Sequence, residues 1–158
     1  MADGGCGRRP GPDEITIARL GLDDTETAAL GVMRHLFETF ACPEGQGWLR
    51  ALALAEMVQP ERPGEFALAL VRVVQAMRGA RRSPFLFTSP GCPCCAPRLT
   101  EPERHLMSAL MAVRRGTPAR ARVSTMLLCE GHDDSALLLA LERLAEGWPA
   151  RRRLHADG

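Results

Sequence analysis

The chain has 158 residues, 46% of them hydrophobic and 25% charged, with a formal net charge of +1. That length supports one domain with its own hydrophobic core. The near-neutral balance excludes a broad electrostatic footprint for nucleic acid, and no apolar run approaches the ~20 residues that a membrane-spanning helix needs.

All 20 basic residues are Arg, while Lys, Asn and Tyr are absent. Those missing residues have AT-rich codons, so the bias reads as a GC-rich, bacterial genome and carries no signal for anion recognition by guanidinium groups. Arg8-Arg9 is followed by Pro10-Gly11-Pro12-Asp13-Glu14, where an export signal would need an apolar stretch. The expected location is the cytoplasm. Thiols are kept reduced there, so clustered cysteines point to metal binding or redox chemistry.

In chain order, residues 1–12 are rich in Gly, Pro and Arg and read as a disordered tail, with Cys6 inside it and no partner in view. Residues 13–150 read as a single helical domain and residues 151–158 as a flexible tail. Ile15 and Ile17 alternate too briefly to define an element.

Asp24 or Thr25 is placed to cap a first helix, along which Leu30, Met33, Leu36, Phe37 and Phe40 recur at helical spacing. A second helix spans about Trp48 to Val58, with Trp48, Leu49, Leu52 and Ala55 read as the inward face. The third has Pro63 in its first turn and a stripe of Phe66, Leu70, Val73, Val74 and Met77. A Pro-rich connection of about twenty residues follows, from Gly79 to Leu99, longer than ordinary loops. Phe85 and Phe87 are its expected anchors to the core.

Thr100-Glu101-Pro102-Glu103 is a capping box opening a fourth helix lined by Leu106, Met107, Leu110 and Val113. A fifth runs from Thr117-Pro118 to about Cys129, and a sixth, capped by Asp133 or Asp134, carries Leu137, Leu138, Leu141 and Leu144. The fold class is therefore all-α: a compact bundle of five to six short helices with a long Cys/Pro-rich loop between helices three and four.

That loop contains the chain's most distinctive chemistry, Gly91-Cys92-Pro93-Cys94-Cys95-Ala96-Pro97. Cys92 and Cys95 have the C-x2-C spacing that presents two thiolates to one tetrahedral cation. Downstream, Cys129-Glu130-Gly131-His132 forms a C-x2-H pair. Helices four and five, joined by a tight turn at Gly116-Thr117, should return Cys129 to the end where the knuckle lies. Cys92, Cys95 and Cys129 are then expected to converge, their sulfurs about 4 Å apart around a metal.

His132 and Cys42 compete for the fourth position, and Cys94 can replace either member of the knuckle. Zinc leads for a mixed sulfur and nitrogen site. An iron–sulfur cluster held by Cys42, Cys92, Cys95 and Cys129 is the alternative. Buried, unliganded thiols are the plainer account of Cys42 and Cys129.

No nucleophile elbow, acid/base pair or phosphate loop is present. Asp133-Asp134 reads as a helix cap, and His35 and His105 as partly exposed helix residues. Arg114, Arg115, Arg120 and Arg122 flank the turn between helices four and five and could meet phosphates. The function expected is that of a non-catalytic, zinc-bearing protein acting through contacts with a protein partner. A thiol or iron–sulfur sensor and a DNA-binding regulator are the alternatives. With a helical core of this size, the fold should not depend on the metal.

Overall fold

The computed structural model of the chain describes residues 6–151; of the tails expected at 1–12 and 151–158, residues 1–5 and 152–158 lie outside the described residues. In order, the elements are β1 (Ile15–Thr16), α1 (Ile17–Leu20), α2 (Asp24–Ala41), a single 3-10 turn (Pro43–Gly45), α3 (Gly47–Val58), α4 (Pro63–Ala80), β2 (Arg98–Leu99), α5 (Glu101–Arg114), α6 (Pro118–Leu128) and α7 (Ser135–Gly147). The protein is mostly helical, as the periodicity predicts. The helices expected as first to sixth are α2 to α7.

Local chemistry sets the helix starts. The α2 cap is Asp23, one or two residues before the Asp24 or Thr25 expected, because Glu26 stands three residues later and completes a capping box. Asp23 accepts the Glu26 N–H at 2.8 Å, and Glu26 accepts the Asp23 N–H at 2.9 Å. Glu26 is fully buried and lies 2.8 Å from the Arg114 guanidinium, so one carboxylate both caps α2 and ties it to the end of α5. Thr100 and Glu103 form the capping box of α5 as read from the sequence.

The core is built from the expected stripes. Leu30, Met33 and Phe37 of α2 meet Phe66, Leu70, Val73, Val74 and Met77 of α4, and Leu106, Met107 and Leu110 of α5 close over Leu137, Leu141 and Leu144 of α7. Phe85 and Phe87 bring the long connection onto this core, their ring centroids 4.5 and 5.4 Å from Phe37.

Two local arrangements depart from the periodicity. In α3, Trp48, Leu49 and Leu52 face solvent, each 45–46% exposed, while Gly47, Ala51 and Ala55 pack inward. The reason is proximity: a Cβ at Gly47 would come within 2.5 Å of the His35 carbonyl, so only small residues fit the face that α3 turns to α2. In the last turn of α2, Phe40 is 39% exposed and is covered by the Arg78 guanidinium, 3.7 Å from the ring centroid.

The second departure is the short alternation at Ile15 and Ile17. It forms β1, which pairs antiparallel with β2 in the register Ile15 to Leu99 and Thr16 to Arg98. A further bond from the Ile17 N–H to the Pro97 carbonyl, 2.8 Å, continues the pairing. This two-stranded ribbon places the chain's N-terminal segment alongside the cysteine-rich loop.

Candidate metal centre

Backbone turns shape the loop around the cysteines. Cys92 donates its N–H to the Ser89 carbonyl, and the Cys92 carbonyl accepts the N–H groups of Cys95 and Ala96 at 3.1 and 2.8 Å. The Cys95 carbonyl in turn accepts the Arg98 N–H at 2.9 Å. Pro93 suits such a reversal because its fixed φ is that of the second residue of a tight turn. The chain wraps on itself so that Cys92 and Cys95 face a common point.

A buried ion pair holds this coil against the bundle. Arg34 of α2, 3% exposed, donates to the Ala96 carbonyl at 2.7 Å and to the Arg98 carbonyl. The same guanidinium binds both oxygens of the fully buried Glu103, at 2.7 and 3.1 Å. Glu103 also accepts the N–H groups of Thr88 and Thr100, at 3.3 and 2.9 Å. Every part of this pair is hydrogen-bonded, which is the condition for burying two charges without a large net cost. Removing one partner from such a pair costs about 3–5 kcal/mol, so the loop is pinned at both ends of its C-terminal half.

Into this pinned coil comes the N-terminal segment. The Cys6 sulfur lies 3.4 Å from that of Cys95, 89 residues away in sequence. Arg8 forms an ion pair with Glu14 and lies near enough to Cys95 to interact with its thiol, so a guanidinium adjoins the group. Cys6, Cys92 and Cys95 have sulfurs all within 4.8 Å of one another and could hold a metal ion; among the described residues no other group of three His, Cys, Asp or Glu residues is so close.

Burial grades across the group. Cys6 is exposed, Cys92 intermediate and Cys95 only 7% exposed. The Cys92 thiol is drawn down to about 7, first by the Cys95 thiol donating to it and then by the Cys95 N–H, with Cys6 and the Cys94 N–H adding to the effect. Cys95 is pushed up to about 11, because it gives its proton first to Cys92 and then to Cys6, and burial acts in the same direction. Negative charge therefore collects on Cys92.

The sequence-predicted residues divide. Cys92 and Cys95 meet as expected, whereas Cys129, His132 and Cys42 are not in the group. Cys129 is fully buried in the core, and its thiol rises to about 11, chiefly through burial. The hairpin argument returned Cys129 to the correct loop but to its wrong end. Arg81 bonds the Leu128 carbonyl, and Glu130 accepts the N–H groups of Arg82 and Ser83 at 3.3 Å, all at the start of the connection rather than at Cys92.

His132 is exposed and meets Cys129 only through its backbone, its N–H bonding the Cys129 carbonyl at 2.9 Å. Cys42 is exposed at the end of α2, its sulfur 3.7 Å from a Glu44 carboxylate oxygen. The thiol of this group missed by sequence reasoning is Cys6. The β-branched pair Ile15 and Ile17 was its signal, since a strand there carries the preceding residues past the loop. Arg114, read above as one of four arginines flanking the α5–α6 turn, is turned inward to Asp23 and Glu26 with its side chain 2% exposed.

Compared with known proteins, the chain matches no protein-family model, no curated protein and no solved structure.

Proposed function

We propose that this protein is a non-catalytic zinc-binding protein in which Cys6, Cys92 and Cys95 supply three thiolates to one ion. The observation that carries the reading is the mutual approach of the three sulfurs within 4.8 Å. Two Zn–S bonds of ~2.3 Å at the tetrahedral angle set sulfurs about 3.8 Å apart, so small side-chain adjustments suffice. That spacing favours a single ion over an iron–sulfur cluster, whose several metal atoms spread their thiolates wider.

Charge supports the same reading. Three thiolates on a divalent cation leave one net negative charge, and the Arg8 guanidinium on Cys95 is placed to balance it. The backbone N–H groups of Cys94 and Cys95 on the Cys92 sulfur favour thiolate there before any ion arrives. The fourth position is left to a ligand from outside the group. Bound in this way, zinc would clamp the N-terminal segment to the loop. Action through protein contacts is supported by α3, which turns Trp48, Leu49, Leu52 and Met57 outward, and by α6, which exposes Val123, Met126 and Leu127.

Metal analysis of protein purified without oxygen tests the reading. One zinc per chain is expected, retained in Cys42→Ser and Cys129→Ser and lost in Cys6→Ser, Cys92→Ser and Cys95→Ser. Zinc retained by the Cys6, Cys92 and Cys95 variants, or absent from the parent protein, would reject it.

A further inference from the structure

The three thiols differ in access, and their contacts are unequal. Cys6 is exposed to solvent and Cys95 is buried, yet their sulfurs touch at 3.4 Å. A disulfide needs the two sulfurs to close to ~2.05 Å, a movement of little more than an ångström. Cys6 lies outside the helices, on a segment whose next regular element is β1 at Ile15. It can move toward Cys95, which is held in the coil that Arg34 pins.

From this geometry we infer that the site is a redox switch, in which a hydroperoxide-class oxidant joins Cys6 to Cys95 and expels the metal. The inference rests on the zinc reading for its output, though the thiol chemistry itself needs no metal. In the first step, the Cys6 sulfur attacks one peroxide oxygen. The O–O bond breaks, an S–O bond forms, and an alcohol (or water, from hydrogen peroxide) leaves, converting Cys6 to a sulfenic acid.

In the second step, the Cys95 sulfur attacks the Cys6 sulfur. The S–O bond breaks, the S–S bond forms, and the hydroxyl leaves as water, taking its proton from solvent where Cys95 is a zinc-bound thiolate and from the Cys95 thiol where no metal is bound. The two thiols lose two electrons in total, and the peroxide accepts them. Two of the three ligands are consumed, and Cys92 alone cannot hold the ion.

The roles follow from placement. In the zinc-bound group all three sulfurs are thiolates, so exposure selects Cys6 to meet the oxidant, and buried Cys95, in contact with it, resolves the sulfenic acid before further oxidation. Arg8, held beside the group by its ion pair with Glu14, sits where it can stabilise negative charge as Cys95 attacks. The product covalently links residues 89 positions apart, so the N-terminal segment stays docked after the metal has gone. Reduction by a dithiol would restore the ligand set.

The test treats zinc-loaded full-length protein with hydrogen peroxide and follows two readouts. A chromophoric chelator reports zinc release, and peptide mapping without reductant identifies the disulfide. The expected result is at least a tenfold fall in bound zinc, with a Cys6–Cys95 link as the main product, both reversed by dithiothreitol. The same mapping on Cys92→Ser, which lacks the full ligand set, separates the two ideas: the Cys6–Cys95 link should still form. If the parent protein never binds zinc yet forms this link, the metal reading fails and the thiol pairing stands. If zinc binds but peroxide yields a Cys92–Cys95 link, or no disulfide, the switch is refuted.

Discussion

At the scale of single residues, Cys92 and Cys129 show how position sets thiol chemistry. Cys92 receives hydrogen bonds and is drawn down to about 7; Cys129, packed among Leu128 and the core, is driven up to about 11. In protein stripped of metal, alkylation of Cys92 by iodoacetamide should therefore rise through pH 7, well below the ~8.5 of an ordinary thiol. Cys129 should stay unmodified until the fold opens.

The linkage signs are opposite for the two members of the knuckle. The folded value of Cys92 lies below its unfolded one, so its stabilisation is present at alkaline pH and is lost as pH falls through about 7. That of Cys95 is raised, so its contribution is present below the unfolded value and lost as pH climbs through about 11. Peptide mass spectrometry across a pH series reads both thiols. A Cys92 midpoint near the ordinary value would remove the hydrogen bonds assigned to its sulfur.

At the scale of elements, α3 carries the clearest contrast between pattern and packing. Its Ala51 and Ala55 are 1% and 0% exposed, and its large apolar residues lie on the outer side. Ala55→Leu should cost about 1–3 kcal/mol by overpacking the α2–α3 contact. Leu52→Ser should change stability by no more than about 0.5 kcal/mol. Urea denaturation of the two variants measures the difference, and the reverse ordering would mean that α3 is rotated from the position described.

This contrast also shows what a sequence can disclose. The stripes of α4 and α5 were legible because each puts large apolar residues on one face and polar residues on the other. The capping box at Thr100 and Glu103 was legible because both partners are local. α3 was misread because its large residues do not mark its buried side; close approach to the His35 carbonyl selected Gly47 and the small alanines instead. Half of the knuckle was equally legible, since Cys92 and Cys95 are three residues apart. Cys6 was not, because its approach depends on β1, a strand of two residues paired with a partner more than eighty positions away.

At the scale of the whole molecule, four separate parts of the chain build and hold the cysteine loop. The N-terminal segment brings Cys6 and Arg8, the loop brings Cys92 and Cys95, α2 brings Arg34, and α5 brings Glu103. The thiol group lies outside the helical core, so an ion bound as proposed would fix the N-terminal segment and loop against the helical scaffold. X-ray absorption at the zinc edge of the reduced, full-length protein measures this arrangement most directly. Three sulfurs near 2.3 Å and one lighter nitrogen or oxygen neighbour are the expected first shell. A shell without sulfur, or one of four sulfurs, would contradict a site built from Cys6, Cys92 and Cys95.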